Sequence, residues 1–256
     1  VFTSEENKAR ILRPIVKALI RYSLSRQARR VIIENNDDFK NLVAGGFAKN
    51  DSIALIKGAG VDTEKFDYKP EPDGQVRVIM VSRLLRDKGV QEFANAAKLV
   101  KARENNVQFV LVGDVDDGNP TSLTAEQLTE LRRSRDVTWL GARTDINELL
   151  AASHIACLPS YREGLPKSLI EAASAGRPIV TTDVPGCREV VTHMVNGLLV
   201  QPRDVTALAS AIEKLVNDPK LRQSMGKENR SKAESEYANE IIIAQTHGVY
   251  DSFYKS

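Results

Sequence analysis

Two glutamates eight positions apart, Glu163 and Glu171, frame the stretch EGLPKSLIE, and the residues between them are those that open a helix. Gly164 and Leu165 leave an apolar run, and the spacing predicts a helix over 166–175 ended by Gly176. Pro166 is expected at its first position, where a missing N–H costs nothing. The next backbone donors belong to Lys167, Ser168 and Leu169, with the positive end of the helix dipole behind them, which makes an anion site. Glu163 stands just outside that end, and Glu171 can point toward the same crevice. Phosphates require N–H donors and cations, whereas sugar hydroxyls favour carboxylate acceptors. The stretch therefore fits a pocket for a nucleotide sugar. Taken alone, the E-x7-E spacing would also suit an ordinary helix with a solvated Glu171.

Two further loops carry charged residues. In SRLLRDKG, Arg83 leaves an apolar run and Lys88 follows five positions later. Arginine offers a fork and lysine a point charge, a combination suited to a diphosphate. The other reading is two solvated loop charges. In GDVDDGNP, Asp114 and Asp116 form a D-x-D that could hold a divalent metal, but aspartate and glycine are also the common residues of a polar turn. The turn reading is preferred, and no metal or other cofactor is expected. Gly113 alone is too little for a dinucleotide fingerprint, which needs two further glycines.

The elements that must position these residues follow from periodicity. Apolar strands are expected at 76–82, 107–113, 137–141, 154–159, 178–183 and 197–200. Helices are expected at 90–103, 123–133, 145–152 (capped by Asp145), 166–175, 187–191 and 204–217, with more helix to the end and the last near 239–254. Buried strands alternating with amphipathic helices predict an α/β fold, a Rossmann-like parallel sheet covered on both faces. In such sheets ligands bind at the carboxyl ends of the strands. Upstream, 8–30 reads as a basic amphipathic helix, followed by strands at 30–34 and 52–56 and a short helix capped by Asp37 or Asp38. The stretch DYKPEPDGQ (67–75) is the best linker candidate. The expected division is 1–67, then a nucleotide-sugar-binding unit over 68–238, then a returning helix over 239–256.

Composition narrows the class. The 256 residues carry a net charge of +2, with 42% hydrophobic and 27% charged residues, so no global nucleic-acid signature exists. The charge is uneven: residues 1–30 hold eight basic side chains against two acidic ones. Cys157 and Cys187 lie in apolar surroundings and are expected as buried thiols in a reducing compartment. No apolar run spans a bilayer. The start VFTSEENKAR has no Met and no signal-like run, which leads us to expect a longer protein. His154 is expected to be structural rather than catalytic, His193 and His247 have no partner at metal or triad spacing, and Trp139 and Phe109 are expected in the core.

These residues resemble a known family. SRLLRDKGV is similar to the R-x4-K loop of the family 4 glycosyltransferases, PSYREGLPKSLIEAASAGRPIVTTDVPGCREVV to their E-x7-E block, and NGLLV to the strand after it. The resemblance implies a retaining enzyme of GT-B fold, of which this chain is the C-terminal, donor-binding lobe. It implies that Glu171 binds the ribose, Glu163 contacts the transferred sugar, and Arg83 and Lys88 hold the diphosphate. Backbone donors at the helix start, Lys167 and Ser168, would complete the phosphate cradle, with Gly164 and Leu169 also counted as substrate-binding, and Gly141–Arg143 would lie near the base. Ser82 departs from the usual glycine and GDVDDGNPTS is longer than the usual loop. The acceptor lobe's glycine-rich loop has no counterpart, and 1–56 resembles only that lobe's tail. The expected donor is a UDP-sugar and the acceptor a glycan or lipid-linked molecule in polysaccharide or glycoconjugate synthesis. A cytoplasmic location follows, with peripheral contact at the inner membrane face through 8–30; the same apolar stripe would equally pack on a missing lobe. On its own the chain is expected to bind donor, transfer nothing and self-associate. The alternatives are a nucleotide-sugar-binding module without turnover and a sugar-nucleotide 2-epimerase, whose extra histidine and carboxylate pairs are not evident.

Overall fold

The computed structural model describes residues 7–24 and 30–254. Its centre is a six-stranded parallel sheet of β3 (Val76–Val81), β4 (Val107–Val112), β5 (Val137–Trp139), β6 (Ile155–Leu158), β7 (Ile179–Thr182) and β8 (Gly197–Val200), in spatial order β5-β4-β3-β6-β7-β8. The strands lie buried because helices cover both faces: α3 (Val90–Lys101), α4 (Ala125–Arg133), α5 (Ile146–Ala151), α6 (Lys167–Ser174), α7 (Cys187–Val190), α8 (Val205–Asn217) and α9 (Pro219–Lys232). After β3 the chain first adds strands on one side and then, from β6, on the other. The strand order thus reverses between β3 and β6, and a crevice opens there at their carboxyl ends.

The core runs along β3 and α3. Val78, Ile79, Met80, Phe93 and Phe109 are fully buried, and the two phenylalanine rings meet edge to face at 5.5 Å. Cys157 and Cys187 are buried in the same core. Trp139 is only partly buried: its indole N–H donates to the Gly113 carbonyl at 2.8 Å and Arg132 lies over its ring.

Upstream, α1 (Asn7–Leu24), β1 (Val31–Ile33), α2 (Asn36–Ala44) and β2 (Ile53–Leu55) form a small unit around a separate two-stranded parallel sheet. The 25–29 portion of the expected basic helix lies outside the described residues, and α1 ends at Leu24. The C-terminal helix is α10 (Asn239–Tyr254), reached through a backbone bridge of Val61 with Ala238.

Residues 67–75 have no helix or strand and are firmly held. The buried Arg177 guanidinium donates to the carbonyls of Ser153 (3.0 Å) and Lys69, and Arg222 clasps Glu71 with two bonds at 2.9 and 3.0 Å. His154 is structural: its Nδ1 accepts from the Arg77 N–H at 3.0 Å and its Nε2 donates to the Pro72 carbonyl at 2.9 Å.

Several helix starts differ from expectation. Asn35, not Asp37 or Asp38, caps α2, because its side chain accepts from the Asp38 N–H. A capping box of Thr124 and Gln127 opens α4 two residues late. Asp145 occupies the cap position of α5 without capping, because its carboxylate is held by Arg143. Pro166 has extended backbone and is the cap of α6 rather than its first residue.

Candidate functional site

The loops after β3 and β4 are stitched together. The Leu84 N–H donates to the Asp114 carbonyl at 2.9 Å, the Arg86 N–H to Thr121 at 2.8 Å, and the Leu123 N–H to Leu84 at 3.0 Å. Gly113 permits this closeness. Its φ is +134°, and a Cβ there would lie 1.8 Å from the Ser82 carbonyl oxygen. The joined loops bring the Asp116 carboxylate to Arg83 at 2.5 Å, where it also accepts from Asn119 at 3.1 Å. Asp114 accepts from the Val115 N–H at 2.8 Å. The D-x-D pair is therefore engaged within its own loops, and among the described residues no three His, Cys, Asp or Glu side chains cluster for a metal.

The loop after β6 is fixed to the loop after β3. The Tyr161 N–H and the Ser160 hydroxyl both donate to the Asp87 carbonyl, at 2.8 and 3.0 Å. Thr182 on β7 donates to the Ser160 carbonyl, and Thr181 to that of Leu158 at 2.6 Å. The Tyr161 hydroxyl donates to Glu92 at 2.5 Å; burial first, then this bond, pushes the phenol up to about 12. These ties place Lys88 against Glu163, with Nζ 2.6 and 2.8 Å from the two carboxylate oxygens. The Glu163 side chain is only 8% exposed and that of Lys88 22%, so the pair sits where water screens it weakly.

The start of α6 faces the same crevice. The Leu169 N–H turns back to the Pro166 carbonyl at 3.0 Å, so Leu169 offers no outward donor and its side chain lies in the core. The amides of Lys167 and Ser168 precede the first intrahelical bond and stay open. Arg143 borders the cavity, held by two bonds to Asp145 at 2.8 and 2.5 Å, which raise its already high pKa.

A cavity of about 500 Å³ lies at this point, walled by Arg83, Lys88, Arg143, Glu163, Lys167 and Ser168 over an apolar floor that includes Val112, Ile146 and Leu158. Six of the nine residues singled out in the sequence thus meet. The other three stand apart: Leu169 is core, the Gly164 carbonyl accepts from Asn35, and Glu171 lies further along α6, outside the wall. The Glu171 carboxylate is 4.0 Å from the Lys167 ammonium with 14% of its side chain exposed, and burial pushes its pKa up. A larger hollow of about 870 Å³ lies between α3 and α4, lined by charges of both signs such as Lys98, Glu126, Glu130 and Arg133. It lacks the convergence of cations and open amides found at the strand ends, so we place the site in the smaller cavity. Sequence reasoning missed Asp116 as the partner of Arg83, Tyr161 as a strut, and Asn35. Only Asn35 had a local signal, an N-x-x-D helix-start pattern.

A parallel sheet whose strand-order reversal carries cations and a helix N-terminus defines an α/β protein with a crevice suited to an anion. Residues 61–232 match the family model described as "Glycosyl transferases group 1", and the chain belongs to that family. It is 33% identical over 263 residues to the N,N'-diacetylbacillosaminyl-diphospho-undecaprenol alpha-1,3-N-acetylgalactosaminyltransferase of Campylobacter jejuni, covering 97% of this chain and 67% of that protein. It is 30% identical over 246 residues to the UDP-Gal:alpha-D-GlcNAc-diphosphoundecaprenol alpha-1,3-galactosyltransferase of Escherichia coli, covering 90% of this chain and 62% of that protein. The chain thus spans about two thirds of the length of these relatives. Among solved structures, Anabaena HepE in complex with UDP superposes with a TM-score of 0.80 at 24% identity, over 92% of this chain and 68% of that one. Sucrose-phosphate synthase from Thermosynechococcus elongatus superposes with a TM-score of 0.79 at 25% identity, over 99% of this chain and 64% of that one.

Proposed function

We propose that this chain forms the donor-binding lobe of a retaining glycosyltransferase that uses a UDP-sugar and a glycan or lipid-linked acceptor. The observation that carries the reading is the convergence of Arg83, Lys88 and the open amides of α6 on one cavity at the strand-order reversal. In this reading Arg83, Lys88 and the amides of Lys167 and Ser168 hold the diphosphate, and Glu163 contacts the transferred sugar. Glu171, beyond the cavity wall along α6, is assigned the ribose hydroxyls of a nucleoside that extends past the diphosphate, and the loop reaching Arg143 borders the base. As the glycosidic bond breaks, charge grows on the leaving diphosphate, and donors already aimed at it stabilise that charge most in the transition state. Lys88 then shares its charge between Glu163 and the phosphate. Arg83, Lys88 and the helix dipole supply the positive charge, so the reading includes no metal.

The named activities of the two relatives, which act on diphospho-undecaprenol-linked sugars, support a lipid-linked acceptor. Peripheral contact with an anionic membrane face through 8–30 belongs to the same reading. No described helix is long and apolar enough to cross a membrane. Calorimetry with UDP and a UDP-sugar, with and without EDTA, tests the proposal. Binding that survives EDTA supports it; binding that is lost in EDTA and restored by Mn²⁺ or Mg²⁺ would reassign Asp114 and Asp116 as metal ligands.

A further inference from the structure

Asn35 lies where the upstream unit touches the candidate site, and it is fully buried. Its Oδ1 accepts from the Asp38 N–H at 2.8 Å, capping α2. Its Nδ2 donates to the Asp38 carboxylate at 2.9 Å and, across to the other unit, to the Gly164 carbonyl at 3.0 Å. Gly164 directly follows Glu163. From another side Gly186 packs so closely that a Cβ on it would lie 2.3 Å from the Gly164 carbonyl oxygen and 2.8 Å from that of Glu163. The backbone that carries Glu163 is therefore held by Asn35 and backed by Gly186. The neighbours of Asn35 strengthen the join. The Asn36 backbone and side chain donate to Glu189 at 2.8 and 2.9 Å, and Arg188 meets Asp37 at 3.2 Å.

We propose that Asn35 is a positioning residue for the cavity: its amide holds the Gly164 carbonyl and thereby keeps the Glu163 carboxylate on Lys88. The role rests on the donor-site reading given above. Chemistry explains the choice of asparagine. A cap needs a short acceptor, which Ser, Asp and Asn all provide. Holding a carbonyl on the far side needs a donor on the same short side chain, which the carboxamide supplies. A serine would cap but fall short of Gly164. An aspartate would cap and set a charged oxygen against the Gly164 carbonyl.

The test compares the chain with its Asn35→Ser and Asn35→Asp variants by UDP calorimetry and amide hydrogen exchange. If Asn35 were only a cap, Ser would serve as well and leave UDP affinity unchanged, whereas Asp adds a charge beside both the Asp38 carboxylate and the Gly164 carbonyl. If it positions the site, UDP affinity falls about 3- to 10-fold in Asn35→Ser and further in Asn35→Asp. Exchange at Leu169 and Ile170, whose amides return to the Pro166 carbonyl, then quickens in both, while the amides of α2 keep their protection. Wild-type affinity and exchange in both variants would overturn the proposal, as would an Asp variant that matches or exceeds Ser in UDP affinity. Should the Asp variant not fold, the Ser variant decides alone. If the unaltered chain fails to bind UDP, the donor reading fails instead, and exchange at Leu169 and Ile170 still decides the role of Asn35.

Discussion

The pairing of Lys88 with Glu163 sets what single substitutions do. Removing the ammonium leaves a carboxylate that is 8% exposed without its countercharge, and stranding a buried charge is costly. Lys88→Ala should lower stability by about 2–4 kcal/mol and weaken UDP binding. The double variant Lys88→Ala, Glu163→Ala should regain much of the stability but none of the affinity, which chemical denaturation and calorimetry can read separately. A double variant no more stable than Lys88→Ala would show that the pair's burial matters little. Glu171 adds a pH dependence. Burial holds its folded pKa above the ordinary 4.5. Acid therefore favours its neutral form in the folded chain, and in the proposed reading the ribose loses a charged acceptor as pH falls through that raised value. Affinity for a UDP-sugar, whose phosphates do not titrate in this range, should decline from pH 7 toward 5. In Glu171→Gln the decline should vanish and binding at pH 7 should be weaker by about 1–3 kcal/mol. A slope unchanged by the substitution would remove Glu171 from the ribose.

At the scale of elements, the site depends on how closely β3 and β4 end. Gly113→Ala puts a Cβ against the Ser82 carbonyl at a φ of +134°, and should cost about 2–4 kcal/mol with a matching loss of UDP affinity as Arg83 moves. Denaturant midpoints equal to wild type would show that the loops yield freely. The tie of the linker to β3 and β6 is sensitive to acid. His154 must be neutral to accept from the Arg77 N–H, and desolvation is the first cause holding its pKa below 6.5. The unfolded chain takes up that proton first, so stability is full above pH 6.5 and falls as pH drops through the window below it. The part of the pH slope due to this residue should disappear in His154→Gln. Much of this architecture was legible beforehand: the strands from 76 to 200 announce themselves as apolar runs, and Arg83, Lys88, Glu163 and the α6 amides could be addressed to strand ends. What was not legible depends on long-range partners. No local pattern pairs Arg83 with Asp116 or joins Asn35 to Gly164 across 129 positions; Asp145 alone is diverted by a near neighbour, Arg143 two positions before it, which competes with the cap that the sequence offers.

For the whole molecule, the upstream unit determines what the 256 residues can do by themselves. Its two parallel strands form a sheet of their own, and a two-stranded sheet is marginal without further cover. Leu12, Ile15, Leu19 and Tyr22 line α1 at 48%, 56%, 60% and 65% exposure, and Ile32 on β1 is 44% exposed. Among the described residues α1 is anchored through Arg21, which donates to the Gly45 carbonyl at 2.8 Å and stacks over Phe47. Such a stripe gains by being covered, whether by a companion lobe, a membrane face or a second copy. With only these residues in solution, self-association is the available route and should appear as concentration-dependent sedimentation, weakened by Leu19→Glu. Transfer makes a stricter demand. The acceptor hydroxyl must sit within roughly 3–3.5 Å of the reacting carbon, facing Glu163 from across the crevice. The described upstream unit brings Glu34 near that crevice, its carboxylate 2.7 Å from where a Cβ on Gly164 would lie, and reaches the Gly164 carbonyl with the buried Asn35. These few groups do not enclose an acceptor. We expect these 256 residues to bind a UDP-sugar and to show at most slow hydrolysis of it, with no transfer to glycan or lipid-linked acceptors in a radiolabelled-donor assay. Transfer above a Glu163→Ala control would place the acceptor site within this chain and overturn the reading of it as a donor-binding lobe.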